Sequence, residues 1–122
     1  MKKNFVIKFY AKPDGADLIK AFLDGLPVKL RVKAYGALAL LEEYGNEIRE
    51  PYSKHIRDGL FELRIKFSSD IIRLFYFFDS GQKIIVVNGY VKKEDKLKKS
   101  LVLSALKMMD DYRLQKRNEL HE

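Results

Sequence analysis

Between Asp58 and Lys93 three runs of alternating residues are separated by two short turn signals, Ser68-Ser69-Asp70 and Asp79-Ser80-Gly81. Runs of this length, broken by Ser, Asp and Gly, predict an antiparallel meander. In the first run Phe61, Leu63, Ile65 and Phe67 share one face, and Leu60, Glu62, Arg64 and Lys66 share the other. The second sets Ile72, Leu74, Tyr76 and Phe78 against Ile71, Arg73, Phe75 and Phe77. Ile84 to Val87 is continuously apolar, as expected of a central strand buried on both faces, and runs on through Asn88-Gly89-Tyr90-Val91 to a lysine pair.

Upstream, Phe5, Ile7 and Phe9 share one face and Val6 and Tyr10 the other, which predicts a first strand over Asn4 to Tyr10. Asp14 is placed to cap a short helix that runs through Leu23 and is broken by Asp24-Gly25-Leu26-Pro27. Pro27 suits the first turn of a second helix, whose stripe is Leu30, Ala34, Ala37, Leu38 and Leu41 and whose stop is Gly45. Glu50 to Ile56 reads as a loop or a short strand. A last helix spans about Lys98 to Arg117, with Leu101, Ala105, Met108, Met109 and Tyr112 on its apolar side. The expected fold is α+β, in the order β-α-α-β-β-β-α. It is a single domain over residues 1–122, an antiparallel sheet of about four strands with the helices on one face.

Charge changes this picture more than length does. The chain of 122 residues carries a net charge of +7, which favours a polyanionic partner. The excess is local: six lysines from Lys83 to Lys99 face only Glu94 and Asp95. There is no cysteine, which excludes disulfides and thiolate metal sites. With two histidines and no HExxH-like pair, a zinc site would have to borrow carboxylates. No apolar run approaches the roughly 18 residues of a membrane span, and a cytoplasmic protein that needs no cofactor is the expectation.

Arg64 and Arg73 fall on neighbouring strands and interrupt otherwise core-like runs. Two guanidinium groups side by side need an anion between them. Either Glu62 or Asp79 supplies it, or the pair forms a clamp whose forks match phosphate oxygens. If the last strand continues, only one of Lys92 and Lys93 faces the same surface. His55 has the ordinary titration range for a general acid or base, or is an incidental loop residue. Tyr76 and Tyr90 read first as packing residues, though Tyr90, beside the lysines, also suits base stacking.

At these residues the chain resembles the RelE/ParE superfamily of toxins, and within it the HigB-like, phage-derived branch. The resemblance is carried by Asp-Gly-Leu-Phe-Glu-Leu-Arg-Ile at Asp58 to Ile65 and by Arg-Leu-Phe-Tyr at Arg73 to Tyr76. Gly-Tyr-Val-Lys-Lys at Gly89 to Lys93 and Ala105 in the last helix complete it. With the leading strand and helix pair it covers most of the chain.

The resemblance implies a toxin of a type II toxin–antitoxin system that cuts messenger RNA on the ribosome without metal. The implied catalytic residues are Arg64, Arg73, Lys93 (or Lys92 in a shifted register) and His55. Lys54, Lys66, Tyr90, Lys92 and Lys96 are the implied RNA contacts. The implied partners are the ribosome, its mRNA and a cognate helix-turn-helix, HigA-like antitoxin, with operator DNA reached only through that antitoxin and no membrane involved. Two departures stand out. Glu62 occupies a position where RelE carries a lysine, and Asn88-Gly89-Tyr90 stands where HigB proteins can carry an Asp-Tyr-His cluster. The alternatives are a ParE-like toxin that binds DNA gyrase and a decayed toxin that only binds its antitoxin as a co-repressor.

Overall fold

A computed structural model describes residues 4–92 and 98–120. The elements are β1 (Val6–Phe9), α1 (Leu18–Asp24), α2 (Val28–Tyr44), a 3-10 turn (Gly45–Glu47), β2 (Ser53–Arg57), β3 (Leu60–Phe67), β4 (Asp70–Asp79), β5 (Lys83–Lys92) and α3 (Lys99–Leu120). They form an α+β fold around one five-stranded sheet of order β1-β5-β4-β3-β2.

The meander lies where alternation places it. Arg57 to Leu60 turns through Asp58 and Gly59, both at positive φ, as a two-residue hairpin loop requires. Ser68 and Ser69 join β3 to β4, and the three-residue β4–β5 turn uses Gly81 and Gln82 at positive φ. Two features depart from expectation. The sheet is mixed, because β1 pairs in parallel with β5, Val6 lying opposite Lys83. A fifth strand, β2, forms within the stretch that reads as loop or short strand, with Ser53 opposite Leu63 and His55 opposite Phe61. Alternation says which residues share a face and nothing about which strand is the neighbour.

The helices also divide. α1 and α2 cover one face, where Ile19, Leu23, Leu38 and Leu41 pack on Leu63, Leu74, Tyr76 and Val86. α3 covers part of the opposite face, packing Val102, Ala105 and Met109 on Leu60, Phe75, Phe77 and Val87. The expectation that all helices share one face is therefore corrected. Phe75 and Phe77 demand cover as much as Leu74 and Tyr76 do. Asp17, not Asp14, caps α1, accepting the Lys20 N–H at 2.9 Å, while Asp14 accepts from Ala16 within the preceding turn.

Two glycines permit close approaches. Gly45 ends α2 at φ +49°, and a Cβ there would lie 2.1 Å from the Phe5 ring, which packs over the helix end. At Gly89 a Cβ would meet Leu74 Cδ2 at 2.6 Å and the Arg73 carbonyl at 2.8 Å, with the Phe22 ring of α1 at 3.1 Å. The absent side chain lets α1 settle against β5.

Polar contacts pin α3 along its length. The Lys98 N–H donates to Tyr90 Oη at 3.3 Å, and the Tyr10 hydroxyl donates to Asp111. Burial and that carboxylate push the Tyr10 phenol up to about 12. At the far end Tyr112 Oη and Lys116 Nζ each donate to Asp79 Oδ2 at 2.8 Å. Burial alone would raise the Asp79 carboxyl, but the bonds from Lys116, Tyr112 and the Ser80 N–H outweigh it and hold it below the ordinary aspartate range.

Because the folded value is the lower one, Asp79 stabilises the protein fully above the ordinary aspartate pKa of about 4 and loses that contribution as pH falls through the folded value. Melting followed by circular dichroism between pH 7 and pH 3 should show a smaller acid-induced drop in Asp79→Asn than in the parent chain. An equal drop would mean that Asp79 does not anchor α3. Gly45→Ala should destabilise by about 2 kcal/mol or more in urea, through backbone strain and the Phe5 clash together. Phe5→Leu in the same chain should recover part of that loss, and strict additivity would rule out the clash.

Candidate nucleic-acid interface

Arg64 and Arg73 are register partners, directly opposite each other on β3 and β4, and both point to the α3 face. Glu62 sits two residues before Arg64 on that face. Its carboxylate accepts from Arg73 Nη1 at 2.7 Å, and its other oxygen lies 3.6 Å from Arg64 Nε. Of the two anions that the sequence offers, Glu62 is thus the one that meets the arginines, while Asp79 anchors α3. Side-chain exposure separates the two cations. Arg73 and Glu62 are each 2% exposed, whereas Arg64 is 18% exposed. A buried ion pair persists only where geometry offsets desolvation, as the 2.7 Å contact does here.

Around this pair the sheet gathers most of the residues the sequence singles out. Lys54 lies opposite Glu62, and Lys66 and Lys92 both lie opposite Ile71. Tyr90 lies opposite Arg73, whose guanidinium carbon is 5.9 Å from its ring centroid. Strand alternation therefore sets Lys54, Arg64, Lys66, Arg73, Tyr90 and Lys92 on one face. The core beneath α3 reaches Tyr90, with Arg73 fully buried beside it and Arg64 only partly so. Lys54 and Lys66 are exposed, and Lys92 is half-buried. Lys93 and Lys96 lie outside the described residues.

His55 stands apart. It alternates with Lys54 and so faces the other side, where its ring meets Phe61 edge-on at 5.1 Å. Its Nε2 accepts the Gly59 N–H at 3.2 Å, which ties down the hairpin turn. The same face holds Tyr76, a core residue whose hydroxyl is hydrogen-bonded to Ser53. The bridging geometry of Glu62 was legible only as one of two options. Its spacing from Arg64 shows the shared face, but not that Arg73 falls opposite.

The arrangement suits a polyanion. Guanidinium and ammonium groups stand at different depths on a strand surface, with an aromatic ring among them. Fold and site together define a small α+β module with a cationic sheet face. Residues 21–110 match the family model Phage derived protein Gp49-like (DUF891), and the chain belongs to that family, which is RelE-like and of toxin type. No curated protein matches the sequence. Among the described residues no helix is long and apolar enough to cross a membrane.

Removing the Glu62 carboxylate should cost more stability than any exposed charge on this face. Glu62→Gln is expected to lose about 3 kcal/mol by urea denaturation. The double variant Glu62→Leu with Arg73→Met should regain much of it, since an apolar pair fits the surrounding core. If Glu62→Gln melts like the parent chain, the pair does not hold this face together.

Proposed function

We propose that the protein is the toxin of a type II toxin–antitoxin pair, in the HigB-like branch, and that it cuts messenger RNA on the ribosome. The observation that carries this reading is that Lys54, Arg64, Lys66 and Lys92 share one sheet face with Tyr90. In this reading the 2′-hydroxyl oxygen attacks the adjacent phosphorus, the bond to the 5′-oxygen breaks, and a cyclic phosphate and a free 5′-hydroxyl result. Arg64 neutralises the charge that develops on the phosphoryl oxygens, with Lys66 beside it. An ammonium such as Lys92 delivers the proton to the leaving 5′-oxygen.

Arg73 is too deeply buried to grip the phosphate itself, so its role is positioning: it holds Glu62 and backs Tyr90. The described face is rich in groups that donate protons, and its carboxylates are engaged, Glu62 by arginines and Asp79 by Tyr112 and Lys116. The proton of the 2′-hydroxyl then passes to a group of the ribosomal complex, which ties cleavage to translation. The same engagement of Arg73 by Glu62 is the observation on the side of a second reading, a chain that keeps antitoxin binding and has lost cleavage.

Induced expression in bacteria, followed by primer-extension mapping of a translated and an untranslated message, separates these readings. The expected result is cuts confined to the translated message, with Arg64→Ala reducing their rate on the order of 100-fold while leaving the melting temperature nearly unchanged. Growth arrest with intact messages and induced DNA damage would move the target to gyrase. No arrest from a folded protein would leave the binding-only reading.

A further inference from the structure

α2 carries a second apolar stripe that the core does not use. Leu30, Ala34, Leu38 and Leu41 face the sheet, but Val32, Gly36, Leu40 and Tyr44 follow one another at four-residue spacing along a different edge. Val32 is 66% exposed and Leu40 54%. Between this edge, the Arg49–Tyr52 segment and β3 lies a groove of about 1110 Å³. That exceeds the few hundred to roughly 1,000 Å³ of small-molecule sites and suits a length of polypeptide.

The groove opens on a strand edge. Pairing of β2 with β3 stops at Ser53 and Leu63, and the last hydrogen bond there runs from the Arg64 N–H to the Tyr52 carbonyl at 2.8 Å. β3 continues to Phe67. Since backbone groups alternate in direction, the N–H and C=O of Lys66 point the same way as the Arg64 N–H, toward the vacated edge. An open edge next to an apolar groove is a template for strand addition.

We infer that this groove receives an extended segment of a partner protein, which adds to β3 beside Ile65–Phe67 and alternates apolar with acidic side chains. Apolar residues of the segment enter the groove over Ile65 and against Val32, Gly36 and Leu40. A Cβ at Gly36 would meet nothing within 4 Å, so the segment can approach the helix backbone there. Its alternate residues fall on the opposite face, beside Lys66, and are acidic by charge complementarity. The groove rim itself is balanced, Lys33 and Arg49 against Glu47 and Glu50, so the acidic bias comes from Lys66 and the net charge of +7. A second copy of the chain is the wrong occupant, because it would set Lys66 near Lys66 between two molecules each of net charge +7.

The test is selection from a phage-displayed library of random dodecapeptides, followed by amide chemical-shift mapping of the enriched peptides on the full chain. Enriched sequences should alternate apolar and acidic residues and shift the amides of Ile65, Lys66 and Phe67 and those along α2. Gly36→Trp, on an exposed helix face, should weaken binding at least tenfold without changing the melt. Lys66→Glu should turn the preference toward basic residues. Peptides that bind elsewhere, that ignore both substitutions or that carry no acidic bias would overturn the inference. So would a library that enriches nothing, or a dimer in sedimentation that Gly36→Trp dissolves. None of these readouts involves RNA, so they stand apart from the fate of the cleavage reading.

Discussion

The contact between Glu62 and Arg73 decides how this sheet is assembled. Both side chains are buried at the centre of a strand pair, and neither charge survives there alone. Slipping β3 against β4 by one residue would send Glu62 or Arg73 into the core of Leu63, Leu74 and Tyr76 beneath α1 and α2. Slipping by two would keep the faces, and in one direction it would pull the carboxylate away from Arg73, an error that hydrophobic alternation alone allows and the ion pair does not. In the observed register Arg64 lies opposite Arg73 and, through the next strand, Tyr90 and Lys92 lie beside them.

The same pair explains why the two faces of the sheet differ. Beneath α1 and α2 the surface is apolar from Phe61 to Phe67, with the groove beside α2 left open at Leu63 and Ile65. Beneath α3 it is apolar at Leu60, Phe75, Phe77, Ile85 and Val87, and beyond these cations stand around Ile71 and Tyr90. α3 is held over the apolar part by Tyr90 at its start, Asp111 in its middle, and Tyr112 and Lys116 at its far end. A helix pinned in this way buries the aromatic rows and leaves Arg64 and Lys66 outside its core. The division between structure and candidate chemistry thus falls within single strands, a few residues apart.

Much of this was legible in the chain itself. Period-two alternation placed every residue of β3 and β4 on the correct face, and the continuous run at Ile84 to Val87 marked the central strand. Gly45 marked the end of α2. What failed depended on partners distant in sequence. Nothing in Val6–Phe9 says that β5 lies alongside and runs parallel, and Ser53–Arg57 leaves loop and short strand both open until Leu63 is set opposite Ser53. His55 and Lys54 look equivalent in a list of basic residues. Alternation parts them only once the segment is known to be a strand. The second stripe of α2 was present in Val32, Leu40 and Tyr44, but a helix with two apolar edges reads as one that is simply buried.

Both candidate surfaces share β3, and this has a physical consequence. Along Arg64, Ile65 and Lys66 successive side chains alternate between the cationic face and the groove, while the backbone offers its edge between them. A polypeptide added to that edge would bring acidic groups to the exposed Lys66 and the partly exposed Arg64, the cations that RNA would need, and would do so without touching the buried pair. RNA held at the same cations would in turn present phosphates where the acidic side chains would lie. The two ligands would therefore compete through charge at shared residues, not through a change of conformation. Such inhibition needs only that both ligands be anionic and that Glu62 keep Arg73 in place beneath them.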